Sequence, residues 1–187
     1  MTSQPETKVL AIPSAGTYRI DGVSSAITYT SRHMFGLGKV RAKFSIASGQ
    51  LEISQSLADC HVTANIDAAS FTSDNAKRDS DVKGPGLLDV ANFPHIDFTS
   101  TGMREDERGM VLVGTVAMHG VVASVQLPVS SWEAQHPDRI RVLAGASHLD
   151  RYSFGITRAK GWVGRYFDLD FDVVVVSAAG ERPNSRS

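Results

Sequence analysis

The chain has 187 residues, 42% of them hydrophobic and 21% charged, with 19 basic against 20 acidic side chains for a formal net charge of −1. That length suits one domain with its own core, the composition excludes a disordered chain, and the balanced charge gives no electrostatic case for nucleic acid. Cys60 is the only cysteine, so no internal disulfide supports the fold, and nothing approaches the ~18 apolar residues that span a bilayer.

Residues 1–16 read as a flexible tail, with Ser, Pro, Gln and Thr prominent in the first ten. Met1 to Pro5 lacks the basic and apolar regions of a secretory signal. The expectation is a cytoplasmic protein, or an exported one from which a leader has been removed. From there to Ser177 the dominant pattern is alternation with period two, the mark of strands with one face to a core and one to water. Val40, Ala42, Phe44 and Ile46 alternate with Arg41, Lys43 and Ser45, and Val62, Ala64 and Ile66 with His61, Thr63 and Asn65.

Residues 73–90 interrupt the alternation. Asp74 is placed to cap a short helix through Ala76, Lys77 and Arg78, with Pro85 near its end. Ile96 and Phe98 then alternate with Asp97 and Thr99, and the run from Arg104 to Arg108 mixes two basic with three acidic side chains and reads as a solvated hairpin tip. Val121, Ala123, Val125, Leu127 and Val129 share one face, Ile140 and Val142 flank Arg141, and a helical turn is expected after Asp150 through Tyr152 and Phe154. The clearest strand sets Phe167, Leu169, Phe171 and Val173 against Asp168, Asp170 and Asp172.

Residues 178–187 read as a second tail, leaving 17–177 as the domain. Asp21-Gly22, Ser48-Gly49, Arg108-Gly109 and His119-Gly120 are each able to supply a tight reversal. Eight or more strands with one apolar face close on themselves or stack in two layers. Small residues near strand centres (Ala42, Ala64, Gly114, Ala123, Ala144, Ala146) are compatible with a hollow interior, and equally with the size alternation that fits side chains to a solid barrel.

No HExxH, CxxC, P-loop or GxSxG sequence occurs, and the histidines at 33, 61, 95, 119, 136 and 148 lack ligand spacing. No metal or cofactor is therefore expected. Arg78 and Asp79 beside Asp81 read as ion-paired surface charges on a short helix. No signal couples Ser25, Ser147 or Ser153 to a base, and the poor chemical inventory favours binding over catalysis.

Several motifs in order resemble the YceI-like family of lipocalin-like polyisoprenoid-binding proteins. They are Ile20-Asp21 followed by Ser25, Tyr29 and Arg32-His33; Val40 to Phe44; Ile66-Asp67-Ala68-Ala69-Ser70 with Arg78-Asp79; Leu87 to Val90 with Phe93-Pro94, Ile96 and Phe98; Gly114 to Gly120; and Arg151 with Phe154-Gly155-Ile156. Departures are Ser24 and Asp81, where the family often has histidine, and Leu87 and Leu88, where it has phenylalanine. The resemblance implies an all-β, antiparallel, eight-stranded lipocalin-like barrel with one or two short helices. It also implies non-catalytic carriage or sequestration of a long-chain isoprenoid lipid, of polyprenyl phosphate or quinone type.

From the strand faces, the tunnel-lining residues are expected to be Val40, Phe44, Ile46, Ile66, Ile96, Phe98, Leu112, Val125, Leu127, Phe167, Leu169 and Phe171. Two rival readings are an enzyme acting on a lipid or small apolar substrate at the barrel mouth and a solid-core protein-interaction module. The partner expected is an amphiphilic lipid, with no nucleic acid and no stable membrane insertion; a homodimer is left open.

Overall fold

The computed structural model describes residues 14–33, 37–107 and 109–180. Among them are nine strands, β1 (Gly16–Ile20), β2 (Ala26–His33), β3 (Gly38–Ile53), β4 (His61–Thr72), β5 (His95–Asp106), β6 (Gly109–Met118), β7 (Val121–His136), β8 (Arg139–Asp150) and β9 (Val163–Ser177), and one α-helix, α1 (Ala76–Lys83). All strand pairings are antiparallel, and the sheet closes because β3 pairs with both β2 and β4 while β9 pairs with both β8 and β2.

β1 and β2 occupy a single position in this ring. β1 lies beside the end of β3 (Gly16 opposite Ile53) and the end of β9 (Arg19 opposite Val176), and β2 beside their other halves (Ile27 opposite Phe44 and Phe171). The barrel therefore has eight positions, the first of them a strand broken at residues 21–25. The Asp21 carboxylate accepts the N–H groups of Val23 (3.1 Å) and Ser24 (3.2 Å), a local turn that replaces ladder bonds. The Asp21 N–H still donates to the Val174 carbonyl at 2.8 Å, and Ser25 Oγ accepts the Val174 N–H at 2.9 Å, so the chain rejoins the ladder without reversing.

Asp21-Gly22 is thus not a hairpin turn, and neither is Ser48-Gly49, which lies inside the 16-residue β3 next to a register shift. Gly49 serves close approach instead, since a Cβ there would fall 2.7 Å from the Thr63 carbonyl oxygen. His119-Gly120 does reverse the chain, with φ of 53° and 76° between β6 and β7, as a type I′ hairpin requires. The β5–β6 hairpin closes with Asp106 opposite Gly109, and Arg108 lies outside the described residues.

α1 is capped by Asn75 and not by Asp74: the Asn75 side chain accepts the Arg78 N–H at 2.9 Å, while Asp74 turns the chain one residue earlier at φ 59°. The turn after Asp150 is a single 3-10 turn, Arg151–Phe154, capped by the Asp150 carboxylate on the Tyr152 N–H at 2.9 Å. Most of the two expected tails lies outside the described residues. At their edges Gly16 already pairs with Ile53, and Ala178–Gly180 forms another 3-10 turn.

The inner face is continuous, but the phase of the alternation is not. β3 buries Val40, Ala42, Phe44 and Ile46, then, past a bulge, Leu51 and Ile53. β5 buries Ile96, Phe98 and Ser100, then Met103; β7 buries Val125, Leu127 and Val129, then Trp132. Each bulge adds a residue, bends the strand and swaps which parity faces inward. Because neighbouring strands alternate in direction, the β2–β3, β4–β5, β6–β7 and β8–β9 connections share one end of the barrel, and the β3–β4, β5–β6 and β7–β8 connections the other.

Candidate ligand cavity

The barrel encloses an apolar cavity of about 360 Å³, within the ~300–1,000 Å³ usual for ligand pockets. Its floor, toward the β3–β4 end, is formed by buried Leu51, Met103, Trp132 and Val175. At the opposite end two of the lining side chains, Arg32 and Trp162, are themselves exposed to solvent, so the cavity opens there. That mouth is partly roofed by α1 and the segment after it. The Leu88 N–H donates to the Val82 carbonyl at 2.9 Å and the Val90 N–H to the Lys83 carbonyl at 3.1 Å, folding Leu87 and Leu88 back over the interior.

All twelve side chains expected to line a tunnel do line this cavity: Val40, Phe44 and Ile46 on β3, Ile66 on β4, Ile96 and Phe98 on β5, Leu112 on β6, Val125 and Leu127 on β7, and Phe167, Leu169 and Phe171 on β9. The small residues contribute less than their number suggests. Ala64 and Ala144 line the cavity, but Gly114 does not open it. A Cβ at Gly114 would meet the Thr99 carbonyl oxygen at 2.5 Å and the Phe98 ring at 2.9 Å, so the glycine admits the neighbouring strand and an aromatic ring.

Two groups of lining residues escape strand-pattern reasoning. Leu51, Phe71, Met103, Trp132 and Leu149 lie beyond bulges, where the parity has changed. Leu87, Leu88, Phe154 and Ile156 come from the roof, where no period exists, although the ordered motifs had marked their positions. Inside, Tyr29 stacks on Phe167 (centroids 5.3 Å apart) and meets Phe71 edge-on at 6.0 Å, and Phe71 meets Phe44 edge-on at 5.2 Å. Burial pushes the Tyr29 phenol above its ordinary pKa, while a hydrogen bond with Ser31 and the charge of Arg151 act the other way.

The charged side chains of the lining are three arginines, all at the mouth end and from three elements: Arg32 on β2, Arg78 on α1 and Arg151 after β8. Arg151 is only 4% exposed. It donates to the carbonyls of Gly164 (2.9 Å), Val163 (3.2 Å) and Ile156 (2.5 Å), and the Asp150 carboxylate beside it is engaged by Arg165 at 2.8 Å. Burial lowers the Arg151 pKa, yet the guanidinium stays a cation far above neutral pH.

Arg78 and Asp79 do not pair directly. Arg78 Nε donates to Ser73 Oγ at 2.6 Å and Nη2 to the Ser73 carbonyl at 2.8 Å, while the Ser73 hydroxyl donates to Asp79. That hydroxyl holds the Asp79 carboxyl below its usual range. Lys77 and Asp81, also on α1, form an exposed ion pair at 3.4 Å. Among the described residues no three His, Cys, Asp or Glu side chains come together as a metal site, and no helix is long and apolar enough to cross a membrane.

An eight-position antiparallel barrel with an apolar interior open at one end is the architecture of the lipocalin-like barrels. Within that class the YceI-like domain family matches residues 18–175, and the chain belongs to this family. A UPF0312 protein of Vibrio vulnificus is 26% identical over 126 residues, covering 64% of this chain and just under two thirds, 66%, of that relative. Among solved structures, Burkholderia cenocepacia BcnA superposes with a TM-score of 0.69 at 18% identity, over 83% of this chain and 98% of its own. A polyisoprenoid binding domain from Saccharophagus degradans, implicated in plant cell wall breakdown, superposes with a TM-score of 0.64 at 16% identity, over 88% and 99% of the two chains. At these identities the structural likenesses establish the fold.

Proposed function

We propose that the barrel holds one long isoprenoid-type lipid, tail inward and head group at the mouth, and carries or sequesters it without chemical change. The observation that carries this reading is the cavity: an apolar interior reaching from a floor of buried side chains to an open end, with its arginines confined to that end. Each buried CH₂ of a tail contributes ~0.8 kcal/mol, so a long chain binds without specific polar contacts. Membership of the YceI-like family and the likeness to the polyisoprenoid binding domain of Saccharophagus degradans support the same ligand class.

The three guanidinium groups favour an anionic head over a neutral one. Arg32 is exposed, lines the mouth and faces no carboxylate within ion-pair distance among the described residues. A phosphate there forms charge-assisted hydrogen bonds that a quinone carbonyl forms less strongly. The test is displacement of an apolar fluorophore from the interior by a polyprenyl phosphate, by the polyprenol of equal length and by a quinone. All three should displace it, the phosphate at least about tenfold more tightly, and Arg32→Gln should remove most of that advantage. Displacement by none of them overturns the reading; equal affinity for all three overturns the choice of head group.

A further inference from the structure

The chain is nearly neutral, but its topology separates the charge. Between Asp21 and Glu52 there are four basic and no acidic side chains, and between Asp150 and Asp168 again four basic and none acidic. These stretches, far apart in sequence, meet where His33 pairs with Val163, at the mouth of the cavity. Arg32, Lys39, Arg158 and Lys160 stand there exposed, and none of the four has a carboxylate within ion-pair distance among the described residues. Of the acidic groups at the same end, Asp79 is engaged by Ser73, Asp81 by Lys77, Asp89 by Asn92 and Asp150 by Arg165, while Asp74 stands exposed before α1.

The same rim exposes its apolar side chains. Leu37, in the β2–β3 connection, is 89% exposed, and Trp162, in the β8–β9 connection, 67%. Trp162 also lines the cavity, so the exposed apolar surface runs without a break into the interior. Its ring sits on a loop held out by left-handed residues at Ala159 and Gly161, with the Trp162 N–H on the Ala159 carbonyl at 3.2 Å. Nearby, Lys160 and Arg165 flank the Tyr152 ring at 5.5 and 4.9 Å. Exposed indole and leucine amid unpaired cations is the composition of a surface that lies in a lipid interface.

We infer that this rim, Leu37 and Trp162 with Arg32, Lys39, Arg158 and Lys160, docks the open end of the barrel onto the surface of a bilayer containing anionic lipid. The inference rests on the reading of the cavity as a lipid site, and it supplies what that reading lacks, a route for the lipid. A tail withdrawn from a membrane would otherwise cross water. Seated on the bilayer, Trp162 bridges the lipid phase and the cavity wall, and the basic residues are drawn to the negative leaflet within about a Debye length.

The test is co-sedimentation of the full chain with phosphatidylcholine vesicles prepared with and without phosphatidylglycerol, alongside uptake of a polyprenyl phosphate from detergent in the absence of vesicles. The protein should sediment with the phosphatidylglycerol vesicles, release as salt is raised and bind phosphatidylcholine vesicles weakly. The Arg158→Glu, Lys160→Glu double variant should lose at least about tenfold in vesicle binding and retain uptake from detergent. Trp162→Phe should abolish the blue shift of tryptophan emission on vesicle addition. Absence of vesicle binding, equal binding to the two vesicle types, or unchanged binding by the double variant overturns the docking surface. So does sedimentation velocity showing that the rim instead joins two copies of the chain. Failure of uptake with vesicle binding intact counts against the cargo and leaves the docking surface standing.

Discussion

The Arg151 guanidinium donates through Nε to the carbonyl of Gly164 at 2.9 Å, tying the turn that follows β8 to the start of β9. With its bonds to Val163 and Ile156, one side chain satisfies three backbone carbonyls, two at the start of β9 and one in the loop before it. Arg151→Met should therefore leave three polar groups unpaired and lower unfolding stability by about 3–5 kcal/mol, with Arg151→Lys losing less. Denaturant midpoints at constant m-value check this, and an unaltered midpoint for the methionine variant would contradict it.

Phe171 faces the cavity from β9, while Asp170 stands exposed on the outer face one residue away. In Phe171→Asp a carboxylate enters an apolar interior, at a cost of several kcal/mol unless water or a proton follows it. Prenyl-ligand uptake should fall by at least about tenfold and the thermal midpoint should drop. Asp170→Ala should change stability by no more than ~0.5 kcal/mol and leave uptake as it is. Normal uptake and normal melting of Phe171→Asp would refute the inner-face assignment.

Gly114 and Ala144 are both small, for different reasons, and substitution separates them. A Cβ at Gly114 meets backbone at 2.5 and 2.8 Å, so Gly114→Ala should destabilise the fold by about 1–3 kcal/mol. Ala144 borders open space, so Ala144→Phe should cut uptake with a smaller change in melting. The reverse ranking in stability and uptake assays would place the empty volume elsewhere.

Asp21, Asp150 and Asp172 all have carboxyl pKa values below the ordinary range. The largest cause is a side-chain hydrogen bond in each case, from Ser24, Arg165 and Arg141 respectively. A carboxylate whose pKa is lower folded than unfolded contributes stability that is full above the unfolded value of about 3.9 and is lost as pH falls through the folded value. The thermal midpoint should decline below about pH 4, and Asp172→Asn should shallow that decline by freeing Arg141 from its pH-dependent partner. Melting curves between neutral and acid pH give the slope, and an identical slope in the variant would contradict the assignment.

The inner faces were legible in sequence wherever a strand keeps one parity, which is why Phe167 to Val173 and Val40 to Ile46 are placed correctly. They were not legible beyond the bulges. Trp132 follows Val129 by three residues, so a period-two reading turns it to water, yet the register shift between Val129 and Ser131 turns it into the cavity. Asp21-Gly22 and Ser48-Gly49 have the composition of hairpin turns. Tertiary pairing overrides it, because Val174 holds Asp21, and Asn65 and Ala64 pair with Ser48 and Gly49, partners that no local rule foresees. The basic rim was hidden for the same reason: its arginines and lysines are scattered along the chain and converge only when β2 meets β9.

The most direct measurement of the central claim is native mass spectrometry of freshly purified full-length protein, followed by solvent extraction of what it carries. One apolar molecule per chain is expected, released intact on extraction, with uptake restored when a polyprenyl phosphate is offered to the emptied protein. A chain that flies at its bare mass, yields no lipid on extraction and takes up neither polyprenyl phosphate nor quinone would contradict it.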